Sequence, residues 1–169
     1  GARRAVQALS RELVDRAAKE ADRMRALIAD LVEYARPIAP QQEPIALGEV
    51  VAATVALTRP QARLRAVTFD LDAATMPTVV GDAARLQQVL VNLFFNAADA
   101  MHSQGKITLR CEDRGERVAL LVADDGPGVP QAIRATIFDP FFTTKEPGEG
   151  TGLGLAVSRS IVEAMGGQL

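Results

Sequence analysis

Three polar side chains, Asn92, Asn96 and Asp99, recur at offsets of four and three, which puts them on one face of a helix. A carboxamide oxygen is a hard, neutral donor, suited to Mg²⁺ held jointly with phosphates and water. The plain alternative is a solvated polar face. Further on, Asp124-Asp125-Gly126-Pro127-Gly128 follows the apolar run VALLVA. A carboxylate at a strand end can accept a hydrogen bond from an exocyclic amine such as that of adenine, and the glycines let backbone approach a flat ring. Taken alone, the same five residues are also an ordinary turn. Phe138, Phe141 and Phe142 then crowd into five residues just before Thr143, Thr144 and Lys145, beside a segment holding Pro147, Gly148 and Gly150. That pattern suits the latch of a lid, or a small satellite core under a loop. Last come Gly148-Glu149-Gly150-Thr151-Gly152-Leu153-Gly154-Leu155, opening a helix. Free amides at such a start attract phosphates. The segment matches neither the dinucleotide fingerprint nor a P-loop.

The elements that must position these residues are legible in outline. Gly81-Asp82 before ARLQQVLVNLFFNAADAM reads as an N-cap and a helix of about 18 residues, with Val89, Leu90, Leu93 and Ala97 left to the core. Leu47–Thr58 is a helix candidate, and Val67–Leu71 alternates as a half-buried strand should. Lys106–Cys111 and Val118–Ala123, separated by EDRGER, suggest a hairpin. Thr151–Met165 reads as a last helix, closed by Gly166-Gly167. The first 36 residues differ: they hold no Pro and no Gly after Gly1, and Ala21, Met24, Ile28, Leu31 and Ala35 recur at spacings of 3 and 4, with Leu9 and Leu13 upstream. This is a long amphipathic helix with a narrow seam, the pattern of a coiled coil or bundle. Arg36-Pro37 ends it, and Pro40 and Pro44 make a stiff linker.

Composition narrows the classes. The 169 residues carry one Cys, which removes an intramolecular disulfide framework, and one His, which argues against a His-based metal cluster. The net charge of −2 calls for no nucleic acid. No run approaches the roughly 18 apolar residues of a membrane span. A soluble, cytosolic, globular protein is the expectation.

The four motifs, in this order and spacing over residues 80–169, resemble the ATP-binding catalytic domain of two-component sensor histidine kinases, in the superfamily shared with DNA gyrase, Hsp90 and MutL. RLQQVLVNLFFNAADAM is similar to the asparagine box, DDGPGVP to the first glycine box, IFDPFFTTK to the phenylalanine box and GEGTGLGLAVSRSIVEAMGGQL to the second glycine box. NAADAM and PFFTTK are closest to the nitrogen-regulator-like group, and LIADLVEYARP extends the likeness, less specifically, to residues 1–40. The resemblance implies an α/β fold, a two-layer sandwich with a mixed sheet, preceded by a long coiled-coil or bundle helix. It divides the chain into 1–36, the second helix of a dimerisation hairpin; 37–46, a linker; and 47–169, the ATP-binding domain. It implies ATP and Mg²⁺ as ligands. Asn96 would coordinate the metal and Asn92 would support the triphosphate one turn earlier. Asp124 would read the adenine amine, with Gly126 and Gly128 shaping that wall. Lys145 would reach the γ-phosphate from the lid. Gly150, Gly152 and Gly154 would wrap the phosphates together with Thr151 and Leu153, which lie between them. Asp99 joins this ATP-binding set, although some family members carry a basic residue there, which leaves Lys145 most of the neutralisation. Phe138, Phe141 and Phe142 would anchor the base of the lid.

The implied activity is transfer of the γ-phosphoryl to a histidine on the dimerisation domain, for relay to an aspartate of a response regulator receiver domain. Sister families that hydrolyse ATP carry Glu four residues before the magnesium Asn; here that residue is Asn92, and an amide is no general base near pH 7. The family's acceptor His is absent: His102 stands just past the asparagine helix, where a solvated helix-end residue is expected. The family pattern also continues beyond a Gly-Gly pair with further strands, whereas the sequence stops at Leu169. A fragment of a longer kinase is therefore expected: a homodimer through its first helix, cytoplasmic whether or not a parent protein is membrane-anchored, and unable to phosphorylate itself. Two other classes stay open: an ATP-hydrolysing conformational switch of the same superfamily, and a non-catalytic dimeric scaffold.

Overall fold

A computed structural model describes residues 2–35, 41–146 and 150–169, with side chains described only in part along the first helix. Leu9 as a side chain, and Arg36, Pro37, Pro40, Pro147, Gly148 and Glu149 as residues, lie outside that description. The chain opens with α1 (Ala2–Ala35), continuous over 34 residues, as a stretch without internal Gly or Pro should be. α1 lies against the last helix of the chain. The seam is not covered within one chain: Met24 is 57% exposed and Ile28 61%.

β1 (Glu43–Ala46) leads directly into α2 (Leu47–Thr58). After a short 3₁₀ turn at Ala62–Leu64 come β2 (Ala66–Leu71), a second such turn at Ala73–Thr75, β3 (Thr78–Gly81) and α3 (Ala83–Ala100). β4 (Gln104–Asp113) and β5 (Val118–Asp124) form the expected hairpin, and α4 (Gly154–Ala164) is the last helix. Three strands make a mixed sheet in the order β2-β4-β5, with β2 parallel to β4 and β4 antiparallel to β5. The parallel pair needs a long crossover, and residues 72–103, carrying α3, supply it. β1 and β3 pair separately and antiparallel.

Several boundaries shift by a residue or more from the sequence reading, and two of the shifts have a clear physical cause. Glu43–Ala46, at the end of the stretch read as linker, is a strand paired with Thr78–Gly81. Pro44 is tolerated there because a two-stranded ribbon leaves one side of each strand without a partner, where a missing N–H costs nothing. The last helix begins at Gly154 rather than Thr151, because Gly152 takes a left-handed φ of +68° that a helix cannot include.

α3 is the central element and serves three neighbours. Leu90, Phe94, Ala97, Ala98 and Met101 pack on the sheet and α2 with Val51, Leu64, Val67, Ile107 and Leu109. Phe94 is fully buried and meets Phe69 edge-on at 5.1 Å. Burying one such side chain stabilises by about 1.5–3 kcal/mol. Val89 turns instead to α4, joining Leu153, Val157 and Ile161 in a second cluster with Leu93 packed against it. The face left over carries Asn92, Asn96 and Asp99. Thr54 and Thr58, buried on α2, are satisfied by the carbonyls of Val50 and Thr54 one turn back. Among the described residues no helix is long and apolar enough to cross a membrane.

Candidate nucleotide site

The site is built outward from α3. Asp82 caps the helix as expected: Oδ1 accepts from the Arg85 N–H at 3.0 Å, and Oδ2 accepts from the Gln41 N–H at 3.1 Å. The Arg85 N–H above all holds this carboxyl below its ordinary value; burial opposes the shift, and the Gln41 N–H adds to it. The cap fixes where the helix starts, and hence which side of it Asn92 occupies further along.

Asn92 faces α4. Its Nδ2 donates to Ser158 Oγ at 2.7 Å, and Ser158 is 1% exposed. On the other side of the carboxamide stands the Cα of Gly154, so close that a Cβ there would come within 2.5 Å of Asn92 Oδ1. Gly154 is therefore the residue that lets α4 start flush against the asparagine. Asn96 lies one turn further along, half-buried. Asp99, one turn further again, forms an ion pair with Lys145 at 2.5 Å and sits 3.6 Å from Arg63. The guanidinium of Arg63 also lies over the Phe95 ring at 5.9 Å.

At the far end of α3, the turn after β5 brings in Asp124. Its Oδ1 accepts from the Gly126 N–H at 2.8 Å, closing a tight Asx turn. Gly126 packs against Ala100 and Met101 at the end of α3. The carboxylate can still accept from further donors. Gly128 follows with φ +72° and is exposed.

Residues 138–145 and 150–153 close the third side. Phe138 lies under Arg159 of α4 at 5.9 Å, and Arg159 is paired with Glu163. Phe142 is half-buried. Phe141 departs from the anchoring role expected of it: the residue is 62% exposed, and its backbone, at φ +68°, is what the structure uses. Gly152 passes beneath that backbone, where a Cβ would collide with the Phe141 carbonyl. The reason is geometric. Two chain segments cross here backbone to backbone, leaving the ring no interior to enter. The Lys145 N–H is bonded to Thr143 Oγ1 at 3.2 Å, and Gly150 packs on both residues. The Leu153 N–H reaches Thr151 Oγ1 at 3.3 Å, and Leu153 is fully buried. Among the described residues no side chain caps the start of α4, which leaves its first amides their capacity for an anion.

The fold thus joins Asn92 to Gly154, Asp99 to Lys145, Lys145 to Gly150, and Asp124 with Gly126 to the end of α3. Two further residues belong to the site without having been read from the sequence. Ser158 carried a faint signal, as a hydroxyl within the apolar face of the last helix. Arg63 carried none, since only the packing of the loop before β2 on α3 brings it near Asp99. His102 is exposed in the turn after α3 with φ 52°, as expected of a helix-end residue.

Residues 81–169 match the family of histidine kinase-, DNA gyrase B- and HSP90-like ATPases. The chain is 36% identical over 162 residues to the sensor histidine kinase ZraS of Salmonella typhi, a match that covers 95% of this chain and 34% of that protein. It therefore spans about a quarter to a third of the length of the curated relatives it matches. Among solved structures, full-length ShkA in complex with AMPPNP superposes with a TM-score of 0.73 at 29% identity, over 92% of this chain and 34% of the other. The histidine kinase ThkA, solved in complex with the response regulator protein TrrA, gives 0.72 at 29% identity, over 89% and 43%. Motifs, fold and relatives agree, and the chain belongs to the histidine kinase-, DNA gyrase B- and HSP90-like ATPase family as one of its nucleotide-binding domains.

Proposed function

We propose that this chain is the catalytic part of a sensor histidine kinase: it binds MgATP and presents the γ-phosphoryl to a histidine of a helical dimerisation domain, for relay to a response regulator aspartate. The observation that carries the reading is the state of Asn92. A hydrolysing relative needs a carboxylate at this position to take a proton from water. Here the position holds an amide whose nitrogen is donated to Ser158 and whose oxygen is packed against Gly154. An amide does not accept a proton near pH 7, so ATP is kept intact for a different nucleophile. Two likenesses point the same way: ShkA was solved with AMPPNP and ThkA with a response regulator.

The residues take the following parts. Asp124 accepts the adenine amine, with Gly126 and Gly128 forming the wall beside the ring. Asn92 braces the triphosphate, and Gly150, Thr151, Gly152, Leu153 and Gly154 bring the lid and the uncapped start of α4 around it. Lys145, paired with Asp99 on the same face of α3, reaches the γ-phosphate. Among the described residues no group of three His, Cys, Asp or Glu could hold a metal unaided. A hard cation shared with phosphates and water needs no such group, and the neutral oxygen of Asn96 is a donor of the kind it takes. Bound there, Mg²⁺ would neutralise phosphate charge. In the transfer, an imidazole nitrogen bonds to the γ-phosphorus, the bond to the β-phosphate oxygen breaks, ADP leaves and the imidazole gives up its proton. The exposed seam of α1 supports a homodimer through that helix.

The test is a MgATP titration with native protein and with Asn96→Ala and Asp124→Ala, followed by steady-state hydrolysis of native protein and Asn92→Glu. Binding lost in the first two variants, slow hydrolysis by the native chain and faster hydrolysis by Asn92→Glu are expected. Robust hydrolysis by the native chain would overturn the kinase reading. Absence of nucleotide binding would leave a dimeric scaffold instead.

A further inference from the structure

Asp99 puts a full negative charge on the face of α3 that the function proposed above gives to nucleotide phosphates, and alone it would repel them. It does not stand alone. Lys145 Nζ lies 2.5 Å from Oδ2 and Arg63 Nη1 lies 3.6 Å from the same oxygen. The three residues come from separate parts of the chain: the last turn of α3, the lid, and the 3₁₀ turn between α2 and β2. The side chain of Asp99 is 25% exposed, that of Lys145 31% and that of Arg63 58%, so a ligand from solvent can reach both cations. Arg63 is aimed a second time by the Phe95 ring, 5.9 Å from its guanidinium carbon, and Phe95 is the neighbour of Asn96. Among the described residues the cluster holds two cations to one anion, a net positive charge in a chain whose net charge is −2. One carboxylate oxygen shared by two cations is also a poor match, because a guanidinium and an ammonium together offer about eight N–H donors. A polyphosphate offers several charged oxygens and makes stronger charge-assisted bonds.

We propose that Asp99 is not a ligand of the nucleotide but an internal stand-in for its phosphates. It holds Lys145 and Arg63 together until the polyphosphate takes both cations over. The inference rests on the nucleotide-site reading and goes beyond it in two ways. Arg63, outside all four motifs, becomes a phosphate-binding residue. Lys145 leaves Asp99 only in exchange for a phosphate oxygen, so binding the polyphosphate and breaking the Asp99–Lys145 pair are one step. The expected signs follow from competition. Removing the charge of Asp99 removes a competitor and tightens polyphosphate binding. Removing the charge of Arg63 weakens it.

The experiment is calorimetric titration of the native chain, Asp99→Asn, Arg63→Gln and Arg63→Lys with MgATP, with inorganic tripolyphosphate and with adenosine, alongside a melting curve for each protein. Asp99→Asn is expected to bind MgATP and tripolyphosphate about threefold to tenfold more tightly. Arg63→Gln is expected to bind both about threefold or more weakly, and Arg63→Lys close to native, because charge rather than packing is what counts. Adenosine should not distinguish the four proteins, whereas a merely structural role would move adenosine and the melting point as well. Equal or weaker MgATP binding by Asp99→Asn overturns the stand-in role, and native affinity in Arg63→Gln overturns that of Arg63. If the native chain binds no MgATP, the nucleotide reading fails separately, and the same signs with tripolyphosphate still decide whether the exchange occurs.

Discussion

Asn92 shows how much one side chain is asked to do when two helices meet on it. Its carboxamide is clamped between Ser158 and the bare Cα of Gly154, so its chemistry and the seating of α4 are one problem. Gly154→Ala pushes a methyl against the end of a side chain, which can turn away at the cost of the Ser158 bond; a loss of about 1–3 kcal/mol is expected. Gly152→Ala meets the Phe141 backbone and also needs a left-handed φ, neither of which can give, so it should cost more than Gly154→Ala. Denaturant unfolding of the two variants measures the order, and a larger loss for Gly154→Ala would refute this account of the crossing. Arg63 and Ser158 explain why the site was only partly legible. Each reaches the site only through a contact made across the fold, Ser158 with Asn92 and Arg63 with Asp99.

Among the elements, α3 carries the site and its start sets the register. Asp82 ties that start to Arg85 and to Gln41 near β1, so one carboxylate joins helix and ribbon. Asp82→Ala is expected to destabilise by about 1 kcal/mol in thermal or denaturant unfolding. The pH dependence has a definite sign. The carboxyl is held below its ordinary value chiefly by the Arg85 N–H. Its contribution is thus complete above about pH 4, the unfolded value, and is lost as pH falls through the lowered value in the folded chain. Asp82→Asn keeps an acceptor at the cap while removing that acid sensitivity. Unfolding measured from about pH 6 down to about pH 3 should show the curves of the native chain and the Asp82→Asn variant converging, and parallel curves would count against the cap as the cause. β3 was not legible, because TVVG is too short to show a period, and β1 was hidden by Pro44. Each becomes a strand only through the other.

Over the full chain, two kinds of apolar surface have different fates. The interior around Phe94 and Ile107 is closed, whereas Met24, Ile28 and Leu31 on α1 remain in solvent within one chain. A seam of that length is stable in water when a second helix covers it. Ile28→Glu with Leu31→Glu should convert a dimer to a monomer in sedimentation measurements and leave MgATP affinity unchanged, because the seam lies outside the nucleotide site. A native chain already monomeric at high concentration would refute the seam's role.

Signals that act locally were readable along the chain without any coordinates. The cap at Asp82, the two-faced helix after it, the hairpin of β4 and β5, the long first helix and the four motifs are each written in consecutive residues, where periodicity and turn chemistry act. What those parts do to one another came from packing. Asn92 is gripped by a serine 66 positions away, Asp99 is held by a lid lysine 46 positions on, and Gly152 slides under the Phe141 backbone while the ring stays in water. Such pairings depend on how helices and loops settle once their apolar faces are buried, and no spacing along the chain encodes that distance.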